Sequence, residues 1–115
     1  FRQQLLEMWE GCAVTDVRLP TVLRASHIKP WRFSNNSARL DPYNGLLLLP
    51  QYDQLFDKGL ISFGDNGEII RSPAVEPIAP SKLGISLSDK LRTLSEKHRG
   101  FLRYHREEVF VKFTE

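Results

Sequence analysis

The segment Asn44-Gly45-Leu46-Leu47-Leu48-Leu49-Pro50 constrains this chain more than any other. Its four leucines form the core of the longest apolar run in the sequence. A transmembrane helix needs about 20 apolar residues, so no segment here can span a bilayer. A run this short, bounded by turn residues, predicts a buried strand over Leu46–Leu49. Asn44-Gly45 is a favoured turn pair ahead of it. Pro50 suits the first turn of a helix, where the N–H it lacks would find no partner anyway. That helix is expected from Gln51 to Lys58, with Tyr52, Leu55 and Phe56 on its apolar face and Gly59 as its cap.

The flanking segments extend this centre. Phe1, Leu5, Met8 and Trp9 recur at helical spacing, which predicts a helix that Gly11 stops. Cys12-Ala13-Val14 reads as a short strand, and Thr21–Leu23 as a single helical turn after Pro20. Arg24–Trp31 reads as extended, because Pro30 disfavours helix at Lys29. Residues 32–43 read as loop. Leu60–Phe63 and Glu68–Arg71, joined through Asp65-Asn66-Gly67, predict a hairpin. Residues 72–86 carry three prolines and read as an irregular connection. Ser95 is a suitable N-cap for a closing helix through Val109, weakened but not ended by Gly100. Without repeats or low-complexity tracts, the 115 residues suit one α+β domain. Because the sequence starts at Phe1, it is expected to be the C-terminal part of a longer protein.

Composition excludes few functions, but charge order narrows them. The net charge is only +2. Val17–Leu40, however, holds five basic residues and no acidic one, whereas Asp41–Asp57 holds three acidic residues and no basic one. Such blocks suit a polyanion held beside a divalent cation, and equally a solvated surface with accidental charge blocks. A lone cysteine, Cys12, excludes an internal disulfide and a multi-cysteine zinc site, and fits a buried apolar position. Signal-peptide anatomy is absent. An intracellular, cytoplasmic location without membrane attachment is expected.

Four residues in the central segment carry candidate chemistry. Asp53 and Asp57, four apart on the expected helix, lie on one face and can hold a hard cation through oxygen. His27 closes an extended segment, and a neutral imidazole can take a proton from water. Asn44 lies at the turn between them. His27 would otherwise be a structural histidine, Asn44 a plain turn residue, and the two aspartates solvated helix residues. Trp31 is expected in the core. His98 and His105, seven apart, share a helix face and are expected to pack there.

Three stretches give these residues a family setting: Ala25-Ser26-His27-Ile28-Lys29-Pro30-Trp31, then Asn44-Gly45-Leu46-Leu47-Leu48, then Asp53 with Phe56-Asp57-Lys58-Gly59-Leu60-Ile61-Ser62-Phe63. In order and spacing they resemble the HNH endonucleases, in particular the bacterial branch without cysteine pairs and with an Asp-rich metal helix. Cys12-Ala13-Val14-Thr15 and Tyr104-His105-Arg106-Glu107 resemble that branch too. The resemblance implies a ββα-metal core, here with a flanking N-terminal helix, an extra β-hairpin and a C-terminal helix.

It further implies that His27 is the general base. Asn44 would orient that histidine, pin the connecting loop or touch the metal. Asp53 and Asp57 would be the metal ligands. Arg24, Lys29 and Arg32 would contact the nucleic-acid backbone. Two departures stand out. Asp53 occupies the place of the motif's last histidine, which shifts the expected ion to one Mg²⁺ or Mn²⁺. Ser26 occupies a place often held by a metal-binding His or Asp, leaving a water or Asp41 to fill it. No structural zinc is expected. The implied function is hydrolysis of DNA phosphodiester bonds, as the cleavage domain of a restriction or anti-phage protein with its recognition domain upstream. RNA as substrate and homodimer formation are left open. The alternatives are a non-catalytic nucleic-acid-binding domain on a degenerate HNH scaffold, and a protein-interaction module using the helix from Ser95.

Overall fold

The computed structural model describes residues 1–113. The chain opens with α1 (Arg2–Trp9), which ends as Glu10 takes a left-handed conformation at φ 64°. Eight residues make a marginal helix in isolation. This one is held by the burial of Leu5 and Trp9. Each such side chain contributes roughly 1.5–3 kcal/mol when removed from water.

Strand β1 (Arg24–His27) pairs antiparallel with β2 (Gly45–Leu48), in the register Arg24↔Leu48, Ser26↔Leu46 and His27↔Gly45. All four residues of β2 are buried, because α1 packs against it and α3 (Pro50–Asp57) packs against both β1 and β2. The expectations for the leucine run and the proline-started helix hold. Tyr52, Leu55 and Phe56 are the buried face of α3. β1, β2 and α3 form the ββα unit. The α+β architecture is completed by a second antiparallel pair, β3 (Ile61–Phe63) with β4 (Ile69–Arg71), and by α4 (Glu96–Tyr104). The closing helix is capped by Ser95 as expected, with the His98 side chain accepting in turn from the Ser95 N–H. It continues as a π-helical turn over His105–Val109.

Three local expectations need correction. Cys12–Val14 is a turn rather than a strand, although the Ala13 N–H donates to Leu47 O at 2.6 Å and the Ala13 carbonyl accepts from the Arg92 N–H at 2.8 Å. The Arg92 guanidinium holds this turn from the far end of the sequence, donating to Trp9 O (2.7 Å) and Cys12 O (2.9 Å). Residues 32–43 are not a plain loop. They contain α2 (Asn36–Leu40), begun by Asn35, whose side chain accepts from the Ala38 N–H. Asn44-Gly45, expected as a turn pair, is a turn only at its first residue. Asn44 ends a 3-10 turn over Pro42–Asn44, and Gly45 is already extended.

Among the described residues, no helix is long and apolar enough to cross a membrane.

Candidate active site

His27 is the last residue of β1, facing Gly45 across the ladder. Gly45 is closely packed by side chains of α1 and of Phe1 just before that helix. A Cβ there would lie 2.6 Å from the Phe1 ring and 2.9 Å from the Leu5 methyls. The Phe1 ring thereby settles flat on the imidazole, with centroids 3.9 Å apart and planes within 3°. The His27 Nε2 lies 3.0 Å from the Arg39 carbonyl oxygen. A carbonyl can only accept, so in the neutral ring Nε2 carries the proton and Nδ1 keeps its lone pair. A stacked ring, fixed in one tautomer with a basic nitrogen left over, is the arrangement a general base needs. Arg39, which lies in α2, was not legible as a contributor. It acts through its backbone carbonyl, which has no side-chain signature.

Asn44 is fully buried and all of its polar atoms are engaged. Its Oδ1 accepts from the Lys29 N–H at 2.8 Å, and its Nδ2 donates to Ala38 O at 3.0 Å and Lys29 O at 3.4 Å. Of the three roles implied for this residue, the hydrogen bonds match the pinning of the loop. They tie the backbone just after His27 to the helix whose Arg39 carbonyl receives the His27 N–H. The influence of Asn44 on the imidazole is therefore carried through the backbone.

Asp53 is half-buried on α3 beside Ser26 and Arg24, and Asp57 is exposed one turn further on. Burial raises the Asp53 carboxyl above the usual carboxylate range. The Ser26 hydroxyl opposes this, the negative charge of Asp57 adds to it, and Arg24 again opposes it. Two carboxylates that repel each other beside a hydroxyl form an oxygen-only donor set, which fits a hard divalent cation completed by water. Asp41 does not join them. Its Oδ1 caps the Pro42–Asn44 turn, accepting from the Tyr43 N–H at 2.9 Å, and its charge acts on His98. Among the described residues, no group of three His, Cys, Asp or Glu side chains could hold a metal.

The three basic residues diverge. Arg24 lies on the Asp53 side. Lys29 reaches over the Tyr104 ring, 4.7 Å from its centroid. Arg32 lines a cavity of about 640 Å³ that Asp57 also borders. Trp31 corrects an expectation: it is 57% exposed, not core, because it opens a 3-10 turn over Trp31–Phe33, capped by Pro30, that buries none of its residues. His98 and His105 are buried, as their shared helix face predicted.

Residues 12–64 match the family model described as HNH endonuclease, and this span includes His27, Asn44, Asp53 and Asp57. The resemblance read from the motifs is borne out over that span. A solved chain titled modification dependent TagI restriction endonuclease is similar over 93% of this chain, with a TM-score of 0.60 and 20% identity. At that identity the likeness shows the fold. The chain spans 36% of that structure's length. No curated protein matches.

Proposed function

With residues 12–64 matching the HNH endonucleases, we propose that this chain is a metal-dependent endonuclease domain that hydrolyses DNA phosphodiester bonds. The observation that carries the proposal is the His27 geometry. Its Nε2–H is committed to Arg39 O, so Nδ1 is the atom that removes a proton from the attacking water. The resulting hydroxide bonds to phosphorus as the bond from phosphorus to the 3′-oxygen breaks, and the leaving oxygen takes a proton from solvent. Phe1 and Asn44 keep the imidazole and its acceptor in register during that transfer. Asp53 and Asp57 would hold one Mg²⁺ or Mn²⁺. When bound, such an ion neutralises charge on the phosphate and on the leaving oxygen. Arg24 and Arg32 flank this site and would grip the backbone without reading sequence. Lys29 would add a contact on the Tyr104 side.

By analogy with the solved relative, whose title names a modification-dependent restriction enzyme and of which this chain spans 36%, we infer service in restriction or anti-phage defence. Recognition would reside in a domain outside these 115 residues. The analogy rests on fold alone.

The test is nicking of plasmid DNA by the intact protein with Mg²⁺, with Mn²⁺ and with chelator, beside His27→Ala. Metal-dependent cutting by wild type is expected. Loss of His27 should reduce the rate by about 10² to 10⁴, the usual contribution of a positioned base, with DNA binding retained. Two observations favour a second reading, a non-catalytic DNA-binding domain: Ser26 at a place often held by a ligand, and the absence of a third ligand among the described residues. Calorimetric titration with Mn²⁺ separates the two. The nuclease reading expects heat that Asp53→Ala removes. A flat titration in both proteins, with DNA bound but never cut, would establish the second reading.

A further inference from the structure

The turn after β1 presents two large aromatic rings to solvent. Trp31 is 57% exposed and Phe33 is 55% exposed, although most aromatic residues of this chain are at least partly buried. The rings are held rather than loose. The Phe33 N–H donates to Pro30 O at 3.0 Å, and the buried Ser34 hydroxyl donates to Pro30 O at 3.1 Å. Each ring also has an arginine against it. The Arg39 guanidinium lies 3.6 Å from the Trp31 ring centroid, with its Nε–H on Trp31 O at 2.9 Å. The Arg32 guanidinium lies 4.7 Å from the Phe33 centroid. A guanidinium backing one face of Trp31 leaves the other as a platform.

Trp31, Arg32 and Phe33 line the 640 Å³ cavity together with Asp57, Lys58 and Glu108. A volume in that range accommodates a small planar ligand. The four charged groups balance, two of each sign, so the cavity offers no net attraction to a phosphate and suits a neutral ring. The chain on either side of such a ring would meet Arg32 at the cavity and Arg24 on the Asp53 side. Arg39 also joins the platform to the candidate base, because its carbonyl accepts from His27 while its side chain backs Trp31. A ring lodged in the cavity would therefore belong to a nucleotide next to the phosphate that the ion at Asp53 and Asp57 would hold.

We propose that Trp31 and Phe33 are a stacking wall for a nucleobase that has left the duplex stack beside the phosphate to be cut, so that single-stranded or locally opened DNA is the favoured substrate. This rests on the nuclease reading above and specifies its substrate. Stacking of this kind is sequence-tolerant, because every base has a π face. Duplex DNA, with its bases stacked on one another, would gain only the arginine contacts.

The experiment measures binding of the intact protein to fluorescently labelled single-stranded and duplex oligonucleotides of one sequence, in chelator and at fixed low salt. Binding without metal requires no cutting, so failure here is distinguishable from failure of the nuclease reading, which plasmid nicking reports. Trp31→Ala should weaken single-strand binding about ten-fold, the usual loss for one stacked base, and leave duplex binding within about two-fold. Trp31→Phe should restore most of the loss. Irradiating a 5-iodouracil-substituted single strand with the unmodified protein should cross-link residues 30–33, a readout independent of whether Trp31→Ala folds. Equal losses on both DNA forms, or no loss on either, would overturn the proposal. A protein with no cross-link within residues 30–33 would do the same. Unchanged DNA binding would leave the exposed aromatics as a contact for a protein partner.

Discussion

His105 should make this fold sensitive to mild acid. Its ring is 1% exposed and stacked on Phe56, with centroids 3.8 Å apart and planes within 4°. Nε2 lies 2.8 Å from Phe56 O and Nδ1 lies 2.7 Å from Ser62 Oγ. The carbonyl must accept, so Nε2 donates, Nδ1 accepts from the Ser62 hydroxyl, and the neutral ring is satisfied at both ends. Burial favours that neutral form and lowers the pKa from the ordinary 6.5 to about 4. Because the folded value is depressed, the unfolded chain binds the extra proton first. The stabilisation is complete above about pH 6.5 and is lost as pH falls toward 4. At about 1.4 kcal/mol per pH unit, the full loss is roughly 3 kcal/mol, of which about 2 falls between pH 7 and pH 5. That is a large fraction of the 5–15 kcal/mol typical of a domain. The assay is urea denaturation at pH 7 and pH 5 for wild type and His105→Gln. The variant starts less stable, but its pH dependence should be shallower by about 2 kcal/mol over that interval. His98, also lowered by burial, contributes in the same direction in both proteins and cancels. Equal slopes would refute the assignment of a buried neutral imidazole at 105.

Two substitutions probe how the site is held. Asn44→Ala deletes three hydrogen bonds to Lys29 and Ala38 and leaves the part-buried Lys29 N–H unpaired at about 1–3 kcal/mol, while the Lys29 and Ala38 carbonyls keep bonds from Ser34 Oγ and the Asp41 N–H. Thermal unfolding should show a fall in Tm of 10 °C or more, on the order expected for a domain of this size, and a variant that melts like wild type would mean the loop is anchored elsewhere. Gly59→Ala should be as damaging. Gly59 has φ 70°, and an added Cβ would collide with the Val109 carbonyl where the C-terminal segment passes. A loss of more than about 1 kcal/mol in chemical denaturation is expected from the backbone alone, with the collision adding to it.

The candidate base and both aspartates were visible in the linear order because their chemistry is local. His27 ends a strand, Asp53 and Asp57 share a helix face by spacing alone, and the leucine run with Pro50 sets the two elements between them. Asn44 was visible as a candidate, but what its side chain bonds to was not. The motif offered three roles, and only the folded loop shows its side chain bonded to Lys29 and Ala38. Trp31 was misplaced because a large aromatic after an extended segment usually turns inward, whereas here it opens an exposed 3-10 turn capped by Pro30.

What the sequence determined by itself was the ββα unit. A short apolar run bounded by turn residues and a proline-started helix each act over a few residues, so their signals survive without neighbours. What only the tertiary structure decided was which nitrogen of His27 is free, what Asn44 holds, and what Arg92 clamps. Those outcomes rest on backbone carbonyls and on contacts between residues as far apart as Trp9 and Arg92. Every residue has a carbonyl, so no side-chain pattern can announce which one will be met in the fold.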